Sequence, residues 1–117
     1  MIEGRKYRHT TTSFRIYNTG DTKVDPRHMP LRITFTGASE NLKITNKTTK
    51  EEWMYTGITT DTDTIVIDQV RSTKNSLSIV RDTNKKVISL QTGRNEFEII
   101  GATGAFSISF DCRFYYL

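Results

Sequence analysis

Residues 105–117 read A-F-S-I-S-F-D-C-R-F-Y-Y-L. Phe106, Ile108, Phe110, Cys112, Phe114 and Tyr116 take every second position, with Ser107, Ser109, Asp111 and Arg113 in the gaps. Successive side chains of an extended chain point to opposite faces, so this spacing predicts a β-strand with one buried, aromatic-rich face. The strand is long and runs to the last residue of the sequence. It is therefore expected to lie inside the core and to hold a central place in the fold.

The same alternation recurs upstream. Phe14 and Ile16 against Ser13, Arg15 and Tyr17 give a first strand within residues 10–18, ended by the turn signature Asn18, Thr19, Gly20, Asp21. Both prolines fall in residues 24–30, which read as a rigid connector because Pro26 and Pro30 donate no backbone hydrogen bond. Leu31, Ile33 and Phe35 mark a second strand expected to stop at Gly37, Ala38 and Ser39. Leu42 and Ile44 mark a third, which residues 46–50 join as a hairpin to a fourth at 52–55. Residues 64–68 read as a short strand buried in part on both faces. A turn is expected at 72–75, a strand at 77–80 and another turn at 82–85. The apolar run 87–90 precedes Phe97 and Ile99, which alternate with Glu96 and Glu98, and residues 101–104 read as a tight connection into the last strand.

Apolar residues never recur at helical spacing over a helix-length window, and turn residues interrupt the chain too often for a helix to grow. The expected class is all-β, about eight to ten short strands in an antiparallel β-sandwich. At 117 residues the chain fits one domain. Residues 14–117 are assigned to that domain and 1–13 to an N-terminal extension. Its residues 1–5 contain I-E-G-R, a protease site used in expression vectors, and are set aside from fold reasoning. No apolar run approaches a membrane span and no signal peptide is visible, so a soluble chain with no membrane association is expected.

Cys112 is the single cysteine, which excludes an internal disulfide and a cysteine metal cluster. On the apolar face it reads as a small buried hydrophobe. The net charge of +4 is spread along the chain, with Lys43, Lys47 and Lys50 close to Glu51 and Glu52. Only Lys85 with Lys86, and Arg5, Lys6 and Arg8, are close-set, which reads as a solvated surface and implies no nucleic-acid partner.

No catalytic constellation, cofactor motif or metal motif emerges, so the chain is expected not to be an enzyme. Asp61 and Asp63 do not complete a calcium loop. His9 and His28 lie in no ligand pattern, and Asp68 and Asp111 read as cross-strand partners of Lys or Arg. Trp53 beside Tyr55 is the sharpest candidate for a contact with a glycan or partner, since an exposed indole makes a platform for a sugar ring. The competing and preferred reading is that Trp53 packs in the core. Galectin-type sites carry W-G-x-E-x-R, whereas Trp53 is followed by M-Y-T-G, without the acid and the arginine.

Several longer stretches resemble the distal tail proteins of siphophages that infect Gram-positive bacteria. They are V-R-S-T-K-N-S-L-S-I at 70–79, D-T-N-K-K-V-I-S-L at 82–90, G-R-N-E-F-E-I at 93–99 and the ending G-A-T-G-A-F-S-I-S-F-D-C-R-F-Y-Y-L. F-R-I-Y-N-T-G-D from Phe14, V-D-P-R from Val24 and P-L-R-I-T-F from Pro30 are similar to the start of that family's C-terminal domain. The resemblance implies a galectin-like β-sandwich of jelly-roll type, projecting from a hexameric ring that an N-terminal half of the family's proteins forms and this chain lacks. It implies a virion protein of the tail tip or baseplate, from a phage or prophage, assembled in the bacterial cytoplasm. The partners implied are the tail tube, the tape measure, a tail-associated lysin and a receptor-binding protein. The full-length protein is expected to be a homohexamer and the isolated domain a monomer. The alternative is a carbohydrate-binding module for host cell-wall glycan.

Overall fold

The computed structural model describes the backbone of residues 2–115 and the side chains of residues 7–112. The described residues form nine strands: β1 (Ile2–His9), β2 (Ser13–Asn18), β3 (Leu31–Asn46), β4 (Glu51–Met54), β5 (Ile58–Thr59), β6 (Thr64–Asp68), β7 (Arg71–Lys74), β8 (Leu77–Ser78) and β9 (Gly93–Tyr115). The only helical element among the described residues is one 3-10 turn, Val80–Asp82. Every strand pair is antiparallel. The fold is the all-β sandwich that the alternating runs predict.

Two strands are far longer than expected, and they build both layers. The first half of β3 lies between the second half of β9 and β6, and β1 and β7–β8 extend that layer on either side. The second half of β3 lies between the first half of β9 and β4, with β2 on the far side of β9. The ribbon β3–β9 therefore passes from one layer to the other, a route that needs a sharp bend. Phe97 and Phe110 show that bend directly. Thirteen positions apart on β9, they would be separated by about 43 Å in a straight strand at about 3.3 Å per residue. Their ring centroids are 4.8 Å apart.

The bend corrects two expectations. Gly37–Ala38–Ser39 and residues 101–104 do not end strands; both lie inside them, where the β3–β9 register shifts between Gly37 and Ser39 and again between Ser39 and Lys43. Such bulges add residues to one strand and turn it sharply. Glycine is required at the two points of closest approach. Gly101 has φ +97, and a Cβ there would meet the Glu40 carbonyl oxygen at 2.6 Å. A Cβ on Gly37, at φ +148, would meet the Phe106 Cβ at 2.6 Å. Backbone groups that lose their ladder partners at the corner find others: Gly37 N–H donates to Asp63 O (3.3 Å), Asn41 N–H donates to Gly57 O (3.4 Å), and β5 pairs with Ser39 and Glu40. Ser39 and Thr59 share a buried hydroxyl hydrogen bond of 2.7 Å beneath them.

Ile108, Phe110 and Cys112 are buried and Asp111 is exposed, as the alternation requires. Phe106 is half-buried and stacks on Phe35 at 5.4 Å; Phe114 and Tyr116 lie outside the residues whose side chains are described. On the outer face Asp111, Arg32, Asp68 and Arg71 are successive cross-strand neighbours, and Arg32 donates to Asp68 at 3.0 Å. The role expected of Asp68 is met there. Residues 2–9, which include part of the stretch set aside at the sequence level, form β1 along β9. Phe14 stacks on His9 (4.3 Å) and Phe97 (5.5 Å), so β1 and β2 are linked across the seam. Residues 72–75 are mostly strand, not turn; the reversal falls at Asn75 and Ser76, both at positive φ, as a two-residue hairpin demands.

Gly101→Ala places a side chain against backbone at the corner and is expected to destabilise the fold by about 1–3 kcal/mol. Gly104 faces open space, so Gly104→Ala is expected to stay within about 0.5 kcal/mol of the parent. Urea denaturation of both variants checks this; equal midpoints would mean that residue 101 is not at a bend.

Candidate functional site

Residues 83–92 contribute no strand, yet Ile88, Ser89 and Leu90 are buried. Sheet hydrogen bonds are replaced here by buried side-chain amides. Asn95 is fully buried; its Nδ2 donates to the carbonyls of Ile16 (3.3 Å), Gln91 (2.9 Å) and Gly93 (3.2 Å). Its Oδ1 accepts from Gln91 N–H (2.9 Å) and from Asn46 Nδ2 (3.2 Å). Asn46 Nδ2 also donates to Ser89 O (2.9 Å), and Asn18 Nδ2 donates to Leu90 O (3.2 Å). Val24 and Leu90 exchange backbone hydrogen bonds of 2.8 and 2.9 Å. These bonds give the backbone groups of Ser89, Leu90 and Gln91 the partners that a strand ladder would otherwise supply.

Glu51 completes the clamp by accepting the Ser89 N–H (2.9 Å) and the Ser89 hydroxyl. Burial alone would raise the Glu51 pKa; the two Ser89 hydrogen bonds and the nearby Lys23 charge outweigh it and hold the carboxyl below its ordinary range.

The clamped segment presents Lys85, Lys86 and Val87 between two open grooves. One, of about 320 Å³, is lined by Arg27, Val70, Val80, Lys85, Lys86 and Val87, with the Ser72 and Thr83 side chains. The other, of about 400 Å³, shares Arg27, Lys86 and Val87 and adds Lys50, Glu51, Glu52 and Asn84. Arg27 is tied to Asp25 by contacts of 3.3 Å. Hydrogen bonding to the Arg27 amide is the largest of the effects that hold the Asp25 pKa below its ordinary value. The Lys85–Lys86 pair was visible in the sequence; its meeting with Arg27 was not, because tertiary contacts such as the Val24–Leu90 bridge bring the two segments together.

Trp53 and Tyr55 are placed elsewhere, in the core. Trp53 is 1% exposed and Tyr55 5%. The Trp53 indole donates to the Ser72 hydroxyl (3.1 Å), reaching from β4 in one layer to β7 in the other. Neither ring offers a face on which a sugar can stack, so both join the hydrophobic core, the competing reading of Trp53 given above. Asp63 accepts from Thr60 N–H and Asn75 Nδ2, each at 2.8 Å, and thereby fastens two loops together.

No protein-family model matches the sequence, and no curated protein matches it. Among solved structures the chain is similar to the crystal structure of the SPP1 Dit (gp 19.1) protein, described as a paradigm of the hub adsorption apparatus in phages that infect Gram-positive bacteria. The TM-score is 0.68 at 16% identity, over 96% of this chain and 47% of that one. The likeness is one of fold. The chain spans about half the length of Dit.

The Glu51 clamp carries a pH signature. A carboxyl whose folded pKa lies below the ordinary 4.5 stabilises the fold fully above that value and loses the contribution as pH falls through the folded pKa. Glu51→Gln is expected to lower the urea midpoint at pH 7 and to flatten its decline below about pH 5. An unchanged acid slope would mean that the carboxylate does not hold Ser89.

Proposed function

We propose that this chain is a structural, non-enzymatic component of a bacteriophage tail tip, equivalent to the C-terminal domain of a siphophage distal tail protein. The observation that carries the reading is the fold shared with Dit over 96% of the chain, a hub adsorption protein by its description. Independent support comes from the ordered strand and turn motifs between Phe14 and Leu117, which resemble the same family. In this role the sandwich is a stiff bracket. Its layers are locked by the bent ribbon, and its irregular segment is fixed by Asn18, Asn46 and Asn95. Such a bracket suits a docking platform that neighbouring baseplate, receptor-binding or lysin proteins grip, because a pre-ordered surface loses little entropy on binding. The full protein is read as a homohexamer in the virion, joined to tail tube and tape measure.

Immunogold electron microscopy with antibody to this chain tests the role on virions from the phage or induced prophage that encodes it. Label is expected at the tail tip, distal to the tube. Label confined to capsids, or intact virions without label, would overturn the reading.

A further inference from the structure

We propose that the groove between Val70 and the clamped segment receives an extended stretch of a neighbouring tail protein in which acidic and apolar side chains alternate. The inference rests on the tail-tip reading and names the surface and the chemistry of its partner. The groove offers three cations, Arg27, Lys85 and Lys86, and three valines, Val70, Val80 and Val87, and no carboxylate among the described residues lines it. Val70 is 60% exposed, a large apolar surface left beside a cationic rim. Arg27 is already engaged by Asp25. Lys85 and Lys86 make no ion pair among the described residues, so they are the charges that await an anion.

The lysine pair sits on backbone that is fixed in advance. Lys85 holds the left-handed conformation at φ 57, uncommon for a residue with a side chain and a pointer to function where surrounding structure imposes it. Its N–H donates to the Thr83 hydroxyl (3.1 Å), and the Lys86 N–H donates to Asn84 Oδ1 (3.2 Å). Asn84 is itself fastened to β4, donating to Glu52 O (2.9 Å) and accepting from Met54 N–H (3.3 Å). The pairing of Tyr55 with Thr83 completes the attachment.

The surroundings select a peptide over a uniform polyanion. Beyond Lys86 the adjoining groove carries Glu51 and Glu52, which repel a chain of unbroken negative charge. The three valines reward apolar side chains that a polyphosphate lacks. A segment alternating acid with Val, Ile or Leu satisfies both walls, with carboxylates on the lysines and apolar groups on the valines.

Zero-length carbodiimide cross-linking of purified virions, which joins a lysine amine to a carboxylate in contact with it, tests the proposal when read by peptide mass spectrometry. Lys85 or Lys86 is expected to be joined to an Asp or Glu of a neighbouring tail protein. In the full-length protein, the double variant K85E/K86E is expected to bind that neighbour at least about tenfold more weakly. K47E, an exposed lysine in the β3–β4 turn that lines neither groove, is expected to stay within about twofold. A synthetic peptide of alternating Glu and Val is expected to compete, and poly-glutamate of equal charge to compete less. Tail-tip label with neither lysine cross-linked and full binding by K85E/K86E overturns the groove and leaves the tail role standing. Poly-glutamate competing as well as the alternating peptide overturns the apolar half of the proposal. Virions without label remove the tail role itself, and the groove proposal with it.

Discussion

The packing of Phe97 against Phe110 is the contact on which the remainder of the molecule depends. Both rings belong to β9, and they meet only because β3 and β9 bend together at Gly37 and Gly101. A β-ribbon of that length resists folding on itself, since side chains at a corner crowd the opposite backbone. Two glycines remove the crowding, and β5 with Asp63 takes up the hydrogen bonds that the bulges release. Burial then supplies the driving force. Ile33, Phe35, Ile44, Ile99, Ile108 and Phe110 all come from the ribbon itself, so two strands furnish much of the core between the layers.

The second constraint is polar. Residues 83–92 lack the alternating pattern of a strand partner, and buried asparagines stand in for the missing ladder. An asparagine carries two donors and an acceptor with two lone pairs, enough to serve several backbone groups at one point. Asn95 serves Ile16, Gln91 and Gly93 at once and receives Asn46 as well. Because Asn46 and Asn95 sit on the second halves and first halves of β3 and β9 respectively, the segment bearing Lys85 and Lys86 is referred to the bent ribbon. Rigidity at the grooves is thus a consequence of the corner, and any use of the grooves for docking inherits it.

Much of this was legible in the sequence. Period-two alternation assigned the inner faces of Leu31, Ile33 and Phe35 and of Ile108, Phe110 and Cys112, all of which are buried. Burial drives that pattern, so the pattern reports it. The glycines at 37 and 101 were read as strand ends because glycine marks turns and bulges alike, and only the partner strand decides between them. Residues 72–75 were read as a turn since S-T-K-N has no apolar alternation; the strand Arg71–Lys74 that covers most of them buries only Ser72, whose hydroxyl meets Trp53. Trp53 itself admitted two readings, because an indole suits a core and a sugar platform equally well until its exposure is known. The asparagine clamp left no sequence signal beyond buried polar residues that hydropathy places at the surface. The Lys85–Lys86 pair was plain, and its third cation, Arg27, came from the proline-bounded connector by way of tertiary structure alone.

The account stands on β9 folding back so that one strand serves both layers. Nuclear Overhauser contacts between the ring protons of Phe97 and Phe110, resolved by selective labelling of phenylalanine, measure that directly. The 4.8 Å centroid separation predicts strong cross-peaks between the two rings. Their absence, with each ring in contact only with neighbours on its own half of β9, would describe a straight ribbon and contradict the sandwich.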